Sequence, residues 1–509
     1  MTDPDSIMRQ AKAAADRGDR ADALSRLRTL TGLPMASGEP LMPAAFAAFQ
    51  LGDLGLAEAL LRRVTDMHPD AAPGHLNLGN VLQAQGKLAA AAAAVRQAIA
   101  LAPGNPGAYA NLGAICEQID RPDEAETAYR EALRLMPNQA ALHDGLGRAL
   151  AKQTRHREAR AAFQQALRLD GRLAPAHFDM GNSFQDTDQL AEAEQAYRQA
   201  LALDPGFAPA RNNLALVLQK RGQLAEAEGE LHQAIAHAPA DVTAHINLAT
   251  VLFDAGDPAG AVDACDTALT GDPANRTALS FKAIALMEAG QETAARQLLD
   301  VDRFMRSRVI DPPAGYATLA GFNADLFDRV AEAPDRLSEP GNDMGRQTSD
   351  LMLDPHGALQ SYRGVIDEAV AAYIEDLDDD PGHPFVASRP EAWDLVAWGT
   401  IMREIADGET SHIHPPAWLS GVYYARLPDG VGTDDPEQAG WIEFCRPPVH
   451  IRHRFEPAVT RIRPEEGLLV LFPSYFYHRI LPFKVADFRM SVAFDAVPRP
   501  GSVSGNSSN

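Results

Sequence analysis

The chain has 509 residues, of which 46% are apolar and 23% charged, with a formal net charge of −23 at pH 7. That length exceeds one ordinary hydrophobic core, so two or more domains are expected. The acidic balance argues against a nucleic-acid backbone or an anionic membrane as main partner, because both demand basic patches. Three widely spaced cysteines, Cys116, Cys265 and Cys445, contain no CxxC pair, which disfavours a disulfide framework or structural zinc site and suits a cytoplasmic protein. Met1-Thr2-Asp3-Pro4-Asp5 has neither a basic start nor a following apolar run, and no apolar stretch is long enough to span a membrane.

From the N-terminus the first signal is periodicity. Prolines recur at Pro69, Pro103, Pro137, Pro205, Pro239 and Pro273, always 34 residues or twice 34 apart, with Gly171 in the missing place. Ten residues after each comes a small residue: Gly79, Gly113, Gly147, Gly181, Ala215, Ala249 and Ala283. Further alanine columns run through Ala91, Ala125, Ala159, Ala193 and through Ala98, Ala132, Ala166, Ala200. Antiparallel helices approach closely only where side chains are small, so fixed Gly and Ala positions mark helix crossings. Large residues beside them, such as Leu78, Leu112 and Leu146, fill the core. Proline ends each unit because it cannot continue a helix.

This grammar resembles the tetratricopeptide-repeat (TPR) family, over residues 1–300, degenerate at first and regular from about residue 70. The resemblance implies an α-helical solenoid. Asn77, Asn111, Asn213 and Asn247 share one phase of the repeat, with Asp179 in the same column and Gly145 interrupting it. A side-chain amide donates and accepts at once, as a peptide backbone does. The column is similar to the asparagine ladder of O-GlcNAc transferase TPR domains. It implies a concave face that holds a protein or peptide; the plainer expectation is a spacer or scaffold.

After about Leu299 the period vanishes. Residues 301–316 read as a junction, 317–498 as a second domain and 499–509 as a polar, disordered tail. Residues 358–376 read as an amphipathic helix. Strands are expected at Leu395–Ile405, Leu419–Leu427, Trp441–Phe444, Leu468–Phe472, Phe476–Leu481 and Phe488–Phe494. Many short strands with Gly/Pro turns suggest a barrel or sandwich.

The chemistry is concentrated in three segments. In His412-Ile413-His414, alternate residues of an extended chain point the same way, so both imidazoles can reach one spot. His478 comes far along the chain, and Arg489-Met490-Ser491 soon after it. A turn near Lys484–Asp487 would make a hairpin of these last two segments, with Ser491 opposite His478. Two close histidines, a distant one and an Arg-x-Ser form a metal-site pattern.

That order resembles the 2-oxoglutarate, Fe(II)-dependent oxygenase superfamily. HIHPPAWLSGVYYARLP, GWIEF, GLLVLFPSYFYHRILPF and RMSVAFD resemble one bacterial family of these oxygenases more closely, together with GRQT at Gly345–Thr348 and HPF at His383–Phe385. The resemblance implies an α+β domain built on a double-stranded β-helix, a jelly-roll or cupin-like barrel. It also implies Fe(II) as metal, 2-oxoglutarate as co-substrate, O₂ as reactant, and hydroxylation of a further substrate. By position, His412 and His478 match the iron-binding histidines. Arg489 matches the residue that grips the far carboxylate of 2-oxoglutarate, with Ser491 and Tyr424 beside it. His414 stands where the superfamily has a metal-binding carboxylate, which makes the ligand set His412, His414 and His478, with Glu443 as rival third ligand. His450 and His453 are expected to flank the mouth. Two alternatives stay open: a TPR adaptor whose barrel only binds, and a three-histidine iron enzyme that does not use 2-oxoglutarate.

Overall fold

A computed structural model describes residues 4–33, 40–334, 346–405, 410–432, 437–499 and 501. Gly345 of the GRQT motif and nearly all of the tail expected at 499–509 lie outside these residues. The chain divides into two compact units, residues 1–221 and 222–509. Among the described residues, no helix is long and apolar enough to cross a membrane.

The first unit is built of helices in antiparallel pairs, such as Ala72–Ala84 with Leu88–Leu101 and Pro106–Gln118 with Pro122–Leu135. The glycine column explains their spacing. A Cβ at Gly113 would meet the Tyr129 ring at 2.8 Å and one at Gly181 the Tyr197 ring at 2.6 Å, while side chains at Gly79 and Gly147 would overlap Val95 and Phe163. In each of these four repeats the small residue of one helix receives the large residue sixteen positions later on its partner. Ala91, Ala125, Ala159 and Ala193 are wholly buried behind them.

Two members of the asparagine column are tied into the array itself. Asn111 donates through Nδ2 to Asn80 Oδ1 at 2.6 Å, and Asn213 to Asn182 Oδ1 at 2.8 Å. Asp179 occupies the same phase, with Arg148 Nη1 3.7 Å away. Each partner stands three residues past the column position of the preceding repeat. Successive repeats are thus stitched by side chains, and each amide keeps further donor and acceptor capacity.

The second unit starts with further repeat helices, from Leu224–His237 to Glu292–Leu298, and continues into a β domain. Its strands are β1 (Arg306–Val309), β2 (Arg346–Gln347), β3 (Trp393–Ile405), β4 (Leu419–Arg426), β5 (Ile442–Phe444), β6 (Thr460–Ile462), β7 (Leu468–Pro473), β8 (His478–Ile480) and β9 (Phe483–Pro498). They form an antiparallel six-stranded sheet in the order β1-β7-β4-β9-β3-β2 and a three-stranded sheet, β6-β5-β8. The stretch read as a junction, 301–316, carries β1, which pairs with β7. The helix read at 358–376 spans Ala358–Glu375. A helix that periodicity did not single out, Leu319–Glu332, packs on β4 and β3. A side chain at Gly399 on β3 would overlap Val330 of that helix, so the sheet receives the helix where its surface is bare. Tyr362 donates to the Val492 carbonyl at 3.0 Å, and Tyr423 to Asn323 Oδ1 at 2.5 Å, fastening both helices to the same outer face.

One expectation is overturned. Lys484–Asp487 is not a turn: β9 runs through it, with a shift of register against β3 between Lys484 and Arg489. His478 pairs with Phe444 in the small sheet, and Ser491 pairs with Tyr424 and Thr400 in the large one. A sixteen-residue strand can belong to one sheet while the short strand before it turns into another, and hydrophobic patterning alone does not distinguish this from a hairpin.

The repeat helices of this unit are fastened to the β domain by polar contacts, two of them buried and one, Arg454 with Glu288, at the surface. Arg276, 3% exposed, donates to the Ala417 carbonyl at 3.1 Å and Ser388 Oγ at 3.2 Å. Tyr475 donates to the Leu298 carbonyl at 2.6 Å, and Arg454 pairs with Glu288 at 2.6 Å. Burial draws the Arg276 guanidinium down to about 10, which leaves it charged at neutral pH.

Candidate metal centre

Between the two sheets of the second unit lies a cavity of about 1110 Å³. Its floor is a ruled surface of cross-strand rows. Met402 of β3 lies beside Arg489 of β9, and Thr400 and Tyr424 flank Ser491. Trp398 and Val422 flank Ala493, and Val396 and Ser420 flank Asp495. Alternation along a strand therefore sends Arg489, Ser491, Ala493 and Asp495 to one face, and all four line the cavity. Ile442, Ile480 and His478 close it from the small sheet.

The HxH segment enters from the side. His412 exchanges both backbone hydrogen bonds with His478, at 3.1 and 3.0 Å, and His414 N–H donates to the Ser474 carbonyl at 3.0 Å. Ala417 closes the turn by donating to the His414 carbonyl at 3.1 Å. Trp418 anchors the entry to β4, stacking on Phe385 of the HPF motif at 4.5 Å and donating to its carbonyl at 2.9 Å.

This framework brings His412, His414 and His478 together, with one ligand atom of each within 4.8 Å of the others. The ring tautomers are set by the neighbours. His412 Nδ1 faces the Thr410 carbonyl at 3.1 Å and His478 Nδ1 the Phe476 carbonyl at 3.1 Å. A carbonyl only accepts, so both Nδ1 atoms carry the proton and Nε2 bears the lone pair. His414 Nδ1 donates to Asp495 Oδ1 at 2.7 Å. Burial, with His412 and His414 adding to it, holds His478 well below the ordinary histidine range. It is therefore neutral at pH 7, the form that binds a metal.

Arg489 is wholly buried at the other end of the β9 row. Its guanidinium carbon lies 5.2 Å from the Tyr424 ring centroid and 5.7 Å from that of Phe483, and Nη1 donates to Ser491 Oγ at 3.3 Å. A cation taken out of water loses several kcal/mol of solvation, and an anion seated in this cavity would offset that loss. Three imidazoles suit a divalent iron, and a buried guanidinium suits a carboxylate, so the residues present fit the metal and co-substrate that the sequence suggests.

Family profiles match both the repeats and the β domain. Tetratricopeptide-repeat profiles match residues 42–106, 76–140, 117–177, 174–207, 212–276 and 252–302. The family described as "Putative 2OG-Fe(II) oxygenase" matches residues 396–495. The chain is a TPR protein with a C-terminal 2OG-Fe(II) oxygenase-family domain. No curated protein matches it. Among solved structures, the APC/C hetero-tetramer Cut9-Hcn1 is 17% identical, with a TM-score of 0.42, covering 55% of this chain and 55% of that one. This chain thus spans about half the length of that relative. A TPR protein from Parabacteroides merdae is 15% identical, with a TM-score of 0.42, over 52% of this chain and 99% of its own. YrrB, described as a TPR protein with an unusual peptide-binding site, is 24% identical over 36% of this chain and 95% of its own, with a TM-score of 0.30.

The rival ligand Glu443 lies on the opposite face of β5 from the cavity-lining Ile442. It is wholly buried and accepts from Arg446 Nε at 2.6 Å, Arg479 Nε at 2.8 Å and Arg461 Nε at 2.9 Å. Burial alone would raise its carboxyl, but the three guanidiniums outweigh it and hold the group at about 2. Glu443 is neither a solvated strand residue nor a neighbour of the metal site. His450 and His453 do not line the cavity; His453 Nδ1 instead contacts the Phe455 carbonyl at 2.9 Å. Sequence reasoning missed Asp495 and Trp398, whose ring lies 5.4 Å from that of His414. The signal for Asp495 was present: it continues the alternation of Arg489 and Ser491 by two further steps.

Proposed function

We propose that this protein is an Fe(II)- and 2-oxoglutarate-dependent dioxygenase that hydroxylates a protein or peptide held by its repeats. The observation that carries the reading is the convergence of three imidazoles and one buried guanidinium in a single cavity. His412, His414 and His478 would hold the iron through Nε2. Arg489 would take the far carboxylate of 2-oxoglutarate by a forked, charge-assisted pair, with the Ser491 and Tyr424 hydroxyls beside it. Bound there, the metal and co-substrate supply O₂ activation coupled to oxidative decarboxylation. The chain's own part is to orient them and to exclude water, for which Phe472, Ile442, Ile480 and Val422 provide apolar walls. The amide column supports peptide binding by the repeats, and we propose the cytosol as the compartment.

Anaerobic titration with Fe(II) and then 2-oxoglutarate tests this. A weak visible charge-transfer band should appear only with both, and admission of O₂ should release succinate. His414 in the place of a carboxylate favours one second reading, a binding-only TPR adaptor. In that case the metal and co-substrate bind, yet no succinate forms with or without a protein substrate.

A further inference from the structure

In an oxygenase site with a carboxylate ligand, the metal receives one negative charge directly. Here all three candidate ligands are imidazoles, but they are not equivalent. His412 and His478 donate from Nδ1 to backbone carbonyls. His414 donates to a carboxylate, Asp495 Oδ1, at 2.7 Å, and both side chains are mostly buried, 13% and 14% exposed. The carboxylate is itself aimed: Ser420 Oγ donates to the same oxygen at 2.6 Å, and Ser420 and Asp495 are cross-strand partners on β4 and β9.

We infer that Asp495 is a positioning residue of the metal centre, supplying through the His414 ring the negative charge that a carboxylate ligand would supply directly. The inference rests on reading the three histidines as the metal site. A carboxylate bound to Nδ1–H fixes the tautomer, so the Nε2 lone pair must face the cavity. It also pushes electron density across the ring, which makes Nε2 a stronger donor. The fold holds the arrangement rigidly. Asp495 lies within the β4–β9–β3 ladder, and His414 is pinned by Ser474 and Ala417. The β9 row thus carries a cation for the co-substrate at Arg489 and an anion for the metal at Asp495.

The test is metal affinity of the full chain without turnover, read by anaerobic Co(II) titration of its visible bands. Asp495→Asn keeps the shape and removes the charge, and should weaken Co(II) binding roughly 10- to 100-fold. Ser420→Ala, which only loosens the carboxylate, should weaken it less. Coupling separates positioning from general scaffolding. In a His414→Ala background, Asp495→Asn should cause no further loss, because its route to the metal is gone. Metal-free melting temperatures report whether each variant is folded. A folded Asp495→Asn protein that binds Co(II) as tightly as wild type, or a loss that persists in the His414→Ala background, overturns the inference. Failure of the wild-type chain to bind Co(II) would instead overturn the metal-site reading beneath it.

Discussion

Arg489 is a cation that the fold keeps out of water, and that sets the effect of its loss. Arg489→Ala removes a charge-assisted fork and should weaken 2-oxoglutarate binding by about 2–4 kcal/mol. Its effect on Co(II) affinity should be slight, and parallel titrations of the two ligands will show whether they separate. Glu443 gives a prediction in pH. Its folded carboxyl sits at about 2 against an ordinary 4.5, so its contribution is complete above the ordinary value and is lost as pH falls towards 2. Acid denaturation monitored by circular dichroism should therefore have a limb in that range which Glu443→Gln flattens. The same variant should cost about 2–3 kcal/mol at pH 7, because three partly exposed guanidiniums lose their shared anion. That the three histidines and Arg489 converge on one cavity was legible because the family pattern they resemble restricts residue type and spacing. Glu443 was not: whether a strand carboxylate meets a metal, solvent or three arginines depends on which face of β5 it occupies and on residues 3, 18 and 36 positions away.

For the elements, the repeat grammar was readable almost in full, since each column corresponds to one steric event. Gly147 must be bare because Phe163 lies against it. Gly147→Leu forces that ring aside and should lower stability by roughly 1–3 kcal/mol, seen as a reduced urea midpoint. The same substitution at Gly86 points into open space, but its backbone φ of 74° disfavours a side chain, so a smaller, purely conformational loss of about 1 kcal/mol is expected there. In the β domain β3, β4, β5, β7, β8 and β9 were legible from patterning and turn signals, and β1, β2 and β6 were not. Each of these three carries an arginine and no apolar run, and exists because a neighbour offers it a ladder. The mistaken turn at Lys484–Asp487 has a related cause. Charged and small residues mark turns only statistically; here they mark an irregularity, since β9 shifts register against β3 between Arg489 and Lys484 and then resumes pairing to Phe483.

For the molecule as a whole, the sequence period ends near Leu299, while the compact unit that contains the candidate metal centre begins at Gly222. The difference arises from Arg276, Glu288 and Leu298, whose partners Ala417, Arg454 and Tyr475 all belong to the β domain. A chain starting at residue 222 should fold and bind Co(II) with wild-type affinity. One starting at residue 301 should bind it far more weakly and melt at lower temperature, because the turn that carries His414 loses its Arg276 support. Equal melting and affinity of the two would show that the helices are mere neighbours. The position of that support also bears on portability. A β domain that borrows a buried cation from the repeat helices cannot be cut at the edge that its family resemblance suggests. Grafting the candidate site onto another repeat array would mean transplanting the helices from Leu224 onward with the β domain, so the transferable part is a composite whose border lies inside the repeats.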